Sequence, residues 1–384
     1  MTSPALRTRV YLYPEDVLVS GPRQLAELVG DLGFDGVSIA LTYHRGRRVF
    51  ARQGRVDTLL GGGLAFTPGE GYGRIRPVGD ADSTRDALID EFRAACADLG
   101  LGFGVWLVAL YVDELVRVHS DLVARTADGG SLGSGLCPSH PESVEYVAAL
   151  VRDVCERFAP DVVELEAALY PGWEPSFTQT ISLVDLPLGL RRLLAQCFCT
   201  ACLLVAKDAG VDGLLLQERI GQRVARWLSA ESEHGEAPGA DLDHLVTLRS
   251  HGAARMVRAA AAAAQPSGAV LRVLGFGDRT GLELQGFTPD GVGPAPALGL
   301  GYGTLSGQAL QDRAAGIRDL LGERTAAASV NWSPSRSAAT FADDVSQLAA
   351  AGADALSVYH LSLVPVAALS SFASAAHAWL EARQ

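Results

Sequence analysis

The sequence predicts an α/β chain folded as a (β/α)8 TIM barrel, and three observations carry that prediction. Eight short β-forming segments alternate with mainly helical ones along 384 residues. The connections entering the strands are short, whereas three of those leaving them are long. No glycine-rich G-x-G-x-x-G turn follows the first strand, which weakens the alternative of an open, doubly wound, nucleotide-binding sheet. At about 150 residues per domain the length suggests two or three domains, but single α/β barrels routinely exceed 250 residues. The expectation is one barrel domain over 1–384, with long loops at 43–82, 111–138 and 170–189 and a helical insertion at about 190–265.

The elements follow in order. RVYLYP (Arg9 to Pro14) reads as the first strand. Ser20 then caps a helix that has Pro22 in its first turn and Leu25, Leu28, Val29 and Leu32 on one face, stopped by Gly33. DGVSIALTYH (Asp35 to His44) is the second strand, a helix starts at Ser83, and FGVWLVAL (Phe103 to Leu110) is the third strand. Ser139, three residues before Glu142, has the spacing of a capping box for the next helix. DVVELEAAL (Asp161 to Leu169) is the fourth strand and AVLRVLGF (Ala269 to Phe276) the fifth, with helices between them. Asp278 to Pro296 shows no convincing helix, so the fifth unit reads as degenerate. ALGLGYG (Ala297 to Gly303), AASVNW (Ala327 to Trp332) and DALSVYHL (Asp354 to Leu361) complete the eight, and an amphipathic helix from Pro365 closes the chain.

Composition narrows the class of protein. Apolar residues make up 48% and charged ones 20%, enough for a packed core. A net charge of −12 argues against a nucleic-acid footprint or a polybasic membrane patch, leaving a small-molecule or carbohydrate substrate as the expected partner. The first residues, MTSPALRTRVYLYP, hold no apolar h-region, and no apolar run approaches a membrane span. Six cysteines in so long a chain do not read as a disulfide framework, so the expected location is the cytoplasm. P-loop, H-E-x-x-H and G-x-S-x-G motifs are missing, and the one lysine, Lys207, lies on a helix, which excludes Schiff-base chemistry from a strand lysine.

The fourth strand carries the chemistry. Side chains alternate, so Val163 and Leu165 share the face suited to the helical shell, while Glu164 and Glu166 face the barrel axis. Two carboxylates in a poorly solvated lumen repel, and one keeps its proton toward neutrality, which makes a general acid. Glu166, nearer the mouth, is the expected proton donor. Glu164 either tunes it or forms a structural ion pair with Arg272.

This architecture resembles barrel-type glycoside hydrolases, in which the acid/base carboxylate commonly stands at the end of strand four. A narrower resemblance, to an actinobacterial group of glycoside-hydrolase-like barrels, rests on LTYHRGR (Leu41 to Arg47), HSDLVARTADG (His119 to Gly129), LCPSHPE (Leu136 to Glu142), VVELE (Val162 to Glu166) and CFCTAC (Cys197 to Cys202). That group carries a His-rich stretch after strand four. Here the region reads PGWEPSFTQT (Pro171 to Thr180), without histidine, which points to altered substrate or chemistry.

A retaining glycosidase needs two carboxyl groups about 5–5.5 Å apart and an inverting one about 6.5–9.5 Å. The late strands end in Asn331, Tyr359 and His360 rather than in an acid, so Asp278 is the candidate partner. The alternative is a single-acid, substrate-assisted scheme of the chitinase type, whose D-x-D-x-E motif ends with the spacing of ELE. His44 and His360 are candidate bases or hydroxyl ligands. Tyr13, Tyr43, Tyr111, Tyr170, Trp173, Tyr302, Trp332 and Tyr359 gather at the strand ends, where flat rings suit sugar faces. Substrate contacts are therefore expected from Tyr13, His44, Trp173, Tyr302, Asn331, Trp332, Tyr359 and His360.

No cofactor and no catalytic metal are expected. Cys137, Cys197, Cys199 and Cys202 leave a structural zinc open, against the alternative of small buried apolar residues. The leading functional reading is a glycosidase-type hydrolase that uses the strand-four glutamates. An isomerase, lyase or cyclase on the same barrel and a catalytically silent carbohydrate-binding barrel are the other two.

Overall fold

The structure, a computed structural model, describes residues 8–60, 63–79, 83–171, 186–229 and 239–383. Eight parallel strands form the barrel: β1 (Thr8–Leu12), β2 (Gly36–Tyr43), β3 (Gly102–Val108), β4 (Val162–Glu166), β5 (Val270–Phe276), β6 (Ala297–Gly303), β7 (Ala327–Asn331) and β8 (Leu356–Tyr359). Each pairs with its neighbour in sequence order, and β1 pairs with both β2 and β8, so the sheet closes on itself. This is the TIM-barrel fold that the alternating pattern predicts.

Strand alternation sorts the side chains into two populations. Val10, Leu12, Val37, Ile39, Val105, Leu107, Val163, Leu165, Val273, Leu298, Leu300, Val330 and Val358 belong to the outer core, packed against helices. Tyr11, Ala40, Trp106, Val108 and Leu274 form a separate cluster within the lumen. The outer core is aliphatic because parallel strands covered by helices bury both faces. The lumen holds the charged side chains Arg9, Glu164, Glu166 and Arg272 with Tyr11 and Trp106, while Phe103 and Tyr302 pack with the outer core.

Helices α1 (Pro14–Ser20) and α2 (Pro22–Asp31) follow β1, and α3 (Ser83–Asp98) precedes β3. Then come α4 (Asp113–Val118) and α5 (Pro141–Phe158), which packs against the long α9 (Gly239–Ala264). Between β4 and α9 lie α6 (Leu188–Leu194), α7 (Thr200–Asp208) and α8 (Gly213–Leu228). Helices α10 (Arg279–Gln285), α11 (Pro289–Val292), α12 (Gly307–Leu321), α13 (Ala338–Ala350) and α14 (Leu369–Glu381) complete the shell. None of the described helices is long and apolar enough to cross a membrane.

Four local expectations need correction. Pro14–Ser20 is already helical, and Gly21 at φ 81° separates it from α2, so Ser20 ends one helix instead of capping the next. The loop after β2 carries an antiparallel hairpin, Gly46–Phe50 with Arg55–Leu60, reversed at Gly54 with φ 63°. The fifth unit contains two short helices, α10 and α11, whose first turns are capped by Asp278 and Thr288. The Ser139–Glu142 box does not form: His140 is the N-cap of α5, and the Ser139 hydroxyl meets the Tyr170 hydroxyl at 2.7 Å instead.

Candidate active site

The floor of the lumen is built from ion pairs. Arg9 on β1 is fully buried, donating from Nη2 to Asp161 Oδ2 at 2.9 Å and from Nη1 to the Val37 carbonyl at 2.9 Å. Gly104 on β3 makes room for it, since a Cβ there would lie 2.8 Å from Arg9 Nη1. One layer higher, Glu164 sits in register with Arg272 on β5. Its Oε1 accepts from Arg272 Nη1 at 2.9 Å and from Ser357 Oγ at 3.5 Å. Glu164 is 0% and Arg272 1% exposed, so this carboxylate is neutralised and sealed.

Glu166 lies two residues further along β4 and has a different environment. It is 9% exposed, and its Oε2 accepts the indole N–H of Trp106 at 2.8 Å. Trp106 is its only side-chain hydrogen-bond partner among the described residues. Burial pushes the Glu166 carboxyl up to about 7; the Trp106 N–H pulls it down, and the Glu164 charge adds to the rise. Ala167, the next residue, holds φ 53°, a left-handed conformation that is strained for a residue with a Cβ.

Glu166 faces a cavity of about 60 Å³. At ~10–15 Å³ per water, that is room for roughly four to six waters or one arm of a larger ligand. Tyr111, Leu136, Ala167, Tyr170, Phe276 and Gln285 share its wall. The mouth is therefore open on the β3–β5 side. The opposite side is filled: Phe50 of the hairpin packs edge-on against Tyr13 at 6.1 Å. There the hydroxyls of Tyr13 and Tyr43 meet that of Tyr359 at 3.0 and 3.3 Å. The Arg48 guanidinium lies 4.1 Å from the Tyr13 ring centre and 4.7 Å from that of Tyr43. Burial raises the phenol groups of Tyr13, Tyr43 and Tyr359, so all three are neutral hydroxyls at physiological pH.

The expected substrate contacts fall differently from the sequence reading. Tyr13 and Tyr359 face the lumen but are packed into its filled side. His360 is 1% exposed and stacked on Tyr13 at 3.9 Å, and burial drives its imidazole well below the ordinary value, so it does not reach the mouth. His44 stacks on Tyr43, and its Nδ1 meets the Arg45 carbonyl at 3.0 Å. Burial lowers its pKa as well. Tyr302 and Trp332 pack with the outer core, because β6 turns its glycines inward and β7 sends Val330 and Trp332 outward. Asn331 has lumen parity at the end of β7. Trp173 lies outside the described residues.

Asp278 is not placed as a second acid. It caps α10 by accepting from the Gly281 N–H at 2.9 Å and pairs with Arg192 Nη2 at 2.6 Å. Burial opposes ionisation there, but the Gly281 N–H and Arg192 outweigh it and hold the carboxyl below its usual value. Asp278 does not line the cavity, and Glu166 is the one carboxylate among the described residues that does.

Sequence reasoning missed Trp106 and Arg48. Trp106 pairs in register with Glu164, placing its indole on the lumen face beside the acids. The signal was a single tryptophan on a strand face otherwise made of Gly102, Gly104 and Val108.

Neither a protein-family model nor a curated protein matches the sequence. Solved structures do match in fold. The glycoside hydrolase domain of PgaB (BpsB) from Bordetella bronchiseptica aligns at TM-score 0.59 and 11% identity, over 93% of this chain and 95% of that one. The catalytic domain of beta-amylase from Paenibacillus polymyxa aligns at 0.58 and 11%, over 97% and 98%. Alpha-L-fucosidase isoenzyme 2 from Paenibacillus thiaminolyticus aligns at 0.56 and 12% over 96% of this chain, which spans only 48% of that longer protein. The chain has a glycoside-hydrolase-like (β/α)8 barrel fold.

Proposed function

We propose that this protein is a glycosidase-type hydrolase in which Glu166 donates the proton to the leaving oxygen of a glycoside or related polyhydroxylated ring. The observation that carries this reading is the placement of Glu166: it stands at the C-terminal end of β4, lines a cavity, and has one oxygen held by Trp106. A carboxyl raised to about 7 keeps its proton at the pH where it is needed. Glu164 acts from beneath as a fixed charge that Arg272 balances. Because no second carboxylate among the described residues lines the cavity, the proposal is a single-acid scheme in which the substrate supplies the second function.

The same absence favours a second reading, an isomerase, lyase or cyclase in which Glu166 moves a proton without hydrolysis. Turnover in ¹⁸O-labelled water separates the two, since only hydrolysis places solvent oxygen in the product. Binding without turnover across a broad panel of glycosides would contradict the hydrolase reading and favour a carbohydrate-binding barrel. The narrower resemblance to the actinobacterial group is proposed on its five sequence segments alone. A cytoplasmic location is proposed because all six cysteines are unpaired.

A further inference from the structure

Beside the barrel mouth, four cysteines that the proposed chemistry does not use converge. Cys137 follows the strand Ser131–Leu136, Cys197 and Cys199 lie in the turn before α7, and Cys202 lies in its first helical turn. Their sulfur atoms all lie within 4.8 Å of one another, and all four residues are buried. Cys137 Sγ and Cys202 Sγ are 3.4 Å apart, too far for the ~2.05 Å of a disulfide bond. Four thiolates around a tetrahedral ion with Zn–S of about 2.3 Å would stand roughly 3.8 Å apart.

Two further observations point to negative charge at this cluster. Donors converge on the sulfurs: the Arg125 N–H reaches Cys197 Sγ at 3.2 Å, the Ser139 N–H reaches Cys137 Sγ at 3.4 Å, and Arg249 Nη1 reaches Cys202 Sγ at 3.5 Å. Neutral thiols are weak acceptors, whereas metal-bound thiolates are held by such donors. Arg249 on α9 is 1% exposed, and its guanidinium bonds only neutral oxygens otherwise, Gln196 Oε1 and the Cys197 carbonyl, each at 3.1 Å. Among the described residues no carboxylate lies within ion-pair distance of it. A buried cation without an anion is costly, and a tetrathiolate around a divalent ion carries a net −2 that supplies the missing charge.

We propose that Cys137, Cys197, Cys199 and Cys202 bind one zinc ion in a closed tetrahedral site that fixes the cavity wall through Ser139 and Tyr170. On binding, four thiols release their protons to solvent and four Zn–S bonds form; with no open position, the ion is structural. The link to the cavity is direct. Ser139 Oγ lies 3.2 Å from Cys202 Sγ and 2.7 Å from the Tyr170 hydroxyl, and Tyr170 lines the cavity with Glu166. Arg249 stacks over the same tyrosine ring at 4.2 Å. This inference does not depend on what Glu166 does.

Elemental analysis and native mass spectrometry of the intact chain, purified without metal affinity resin or chelator, are expected to give one zinc per chain. Cys199→Ser should lose it, while Cys96→Ser and Cys155→Ser, at buried cysteines outside the cluster, should retain it. Should Cys199→Ser fail to fold, wild-type protein produced in cobalt-supplemented medium provides the second measurement, with the visible bands of tetrahedral cobalt tetrathiolate expected. Chelation should then speed hydrogen exchange in 167–171. A metal-free protein that takes up no zinc under reducing conditions, a cluster cross-linked by disulfides, iron as the native ion, or zinc retained in full by Cys199→Ser would overturn the site. Unchanged exchange at 167–171 after zinc removal would overturn its link to the cavity.

Discussion

Glu164 and Glu166 stand two residues apart on one face of one strand, yet the barrel treats them in opposite ways. Glu164 has a cation in register across β5 and no exposed surface. Glu166 has an indole N–H, a cavity and no cation partner among the described residues. The difference teaches what separates a structural carboxylate from the one proposed to be reactive in the same lumen. Burial is common to both; the neighbour decides. A guanidinium holds charge in place, while a neutral donor against a cavity leaves the proton available.

The comparison can be broken most severely at Glu166. Glu166→Gln removes the proton but keeps the shape, and turnover of any substrate found should fall roughly 10²–10⁴-fold, measured as kcat. Arg272→Met attacks the other acid: it strands Glu164 in the floor and should destabilise the fold by about 3–5 kcal/mol in urea unfolding. Adding Glu164→Gln to that variant should recover part of the loss, because the pair is then removed together.

Glu166 should also leave its mark on the pH dependence of stability. The Glu166 carboxyl rises from 4.5 to about 7 on folding, so the folded state binds the extra proton between those values. Its stabilising contribution is present below pH 4.5 and lost as pH climbs through 7. Glu166→Gln should therefore be more stable than the parent above pH 7, by up to roughly 3 kcal/mol. Equal stabilities across that range would contradict the assignment. Trp106→Phe sharpens the contrast further. It removes the donor that holds the carboxyl down, so the alkaline limb of the pH–rate profile should move upward while the fold persists. The smallest effect is expected at Ala167, where glycine should relieve the left-handed strain by about 1 kcal/mol in thermal unfolding.

Much of this was legible from period-two alternation. VVELE places two apolar residues on one face and two acids on the other, and the structure keeps that parity. The same rule was available at β6, where ALGLGYG puts Leu298, Leu300 and Tyr302 together on the outer face, yet an aromatic near a strand end invited a binding role. On β3 alternation is silent, because FGVWLVAL is apolar on both faces, and so Trp106 went unassigned. Asp278 was judged by its position near the mouth, but Asp–x–x–Gly at a helix start is also a cap, and the cap is what forms. That Cys137 meets Cys197, Cys199 and Cys202 across a gap of some sixty residues is a matter of tertiary packing that spacing does not encode.

The most direct test is a pH titration of wild type and Glu166→Gln by difference infrared spectroscopy in the carboxyl C=O region. A protonated carboxyl band that persists until about pH 7 in wild type and is missing from the variant is the predicted result. Loss of the last carboxyl band by about pH 6, where buried Asp16 titrates, or a band titrating near 7 that survives the substitution, would contradict the account.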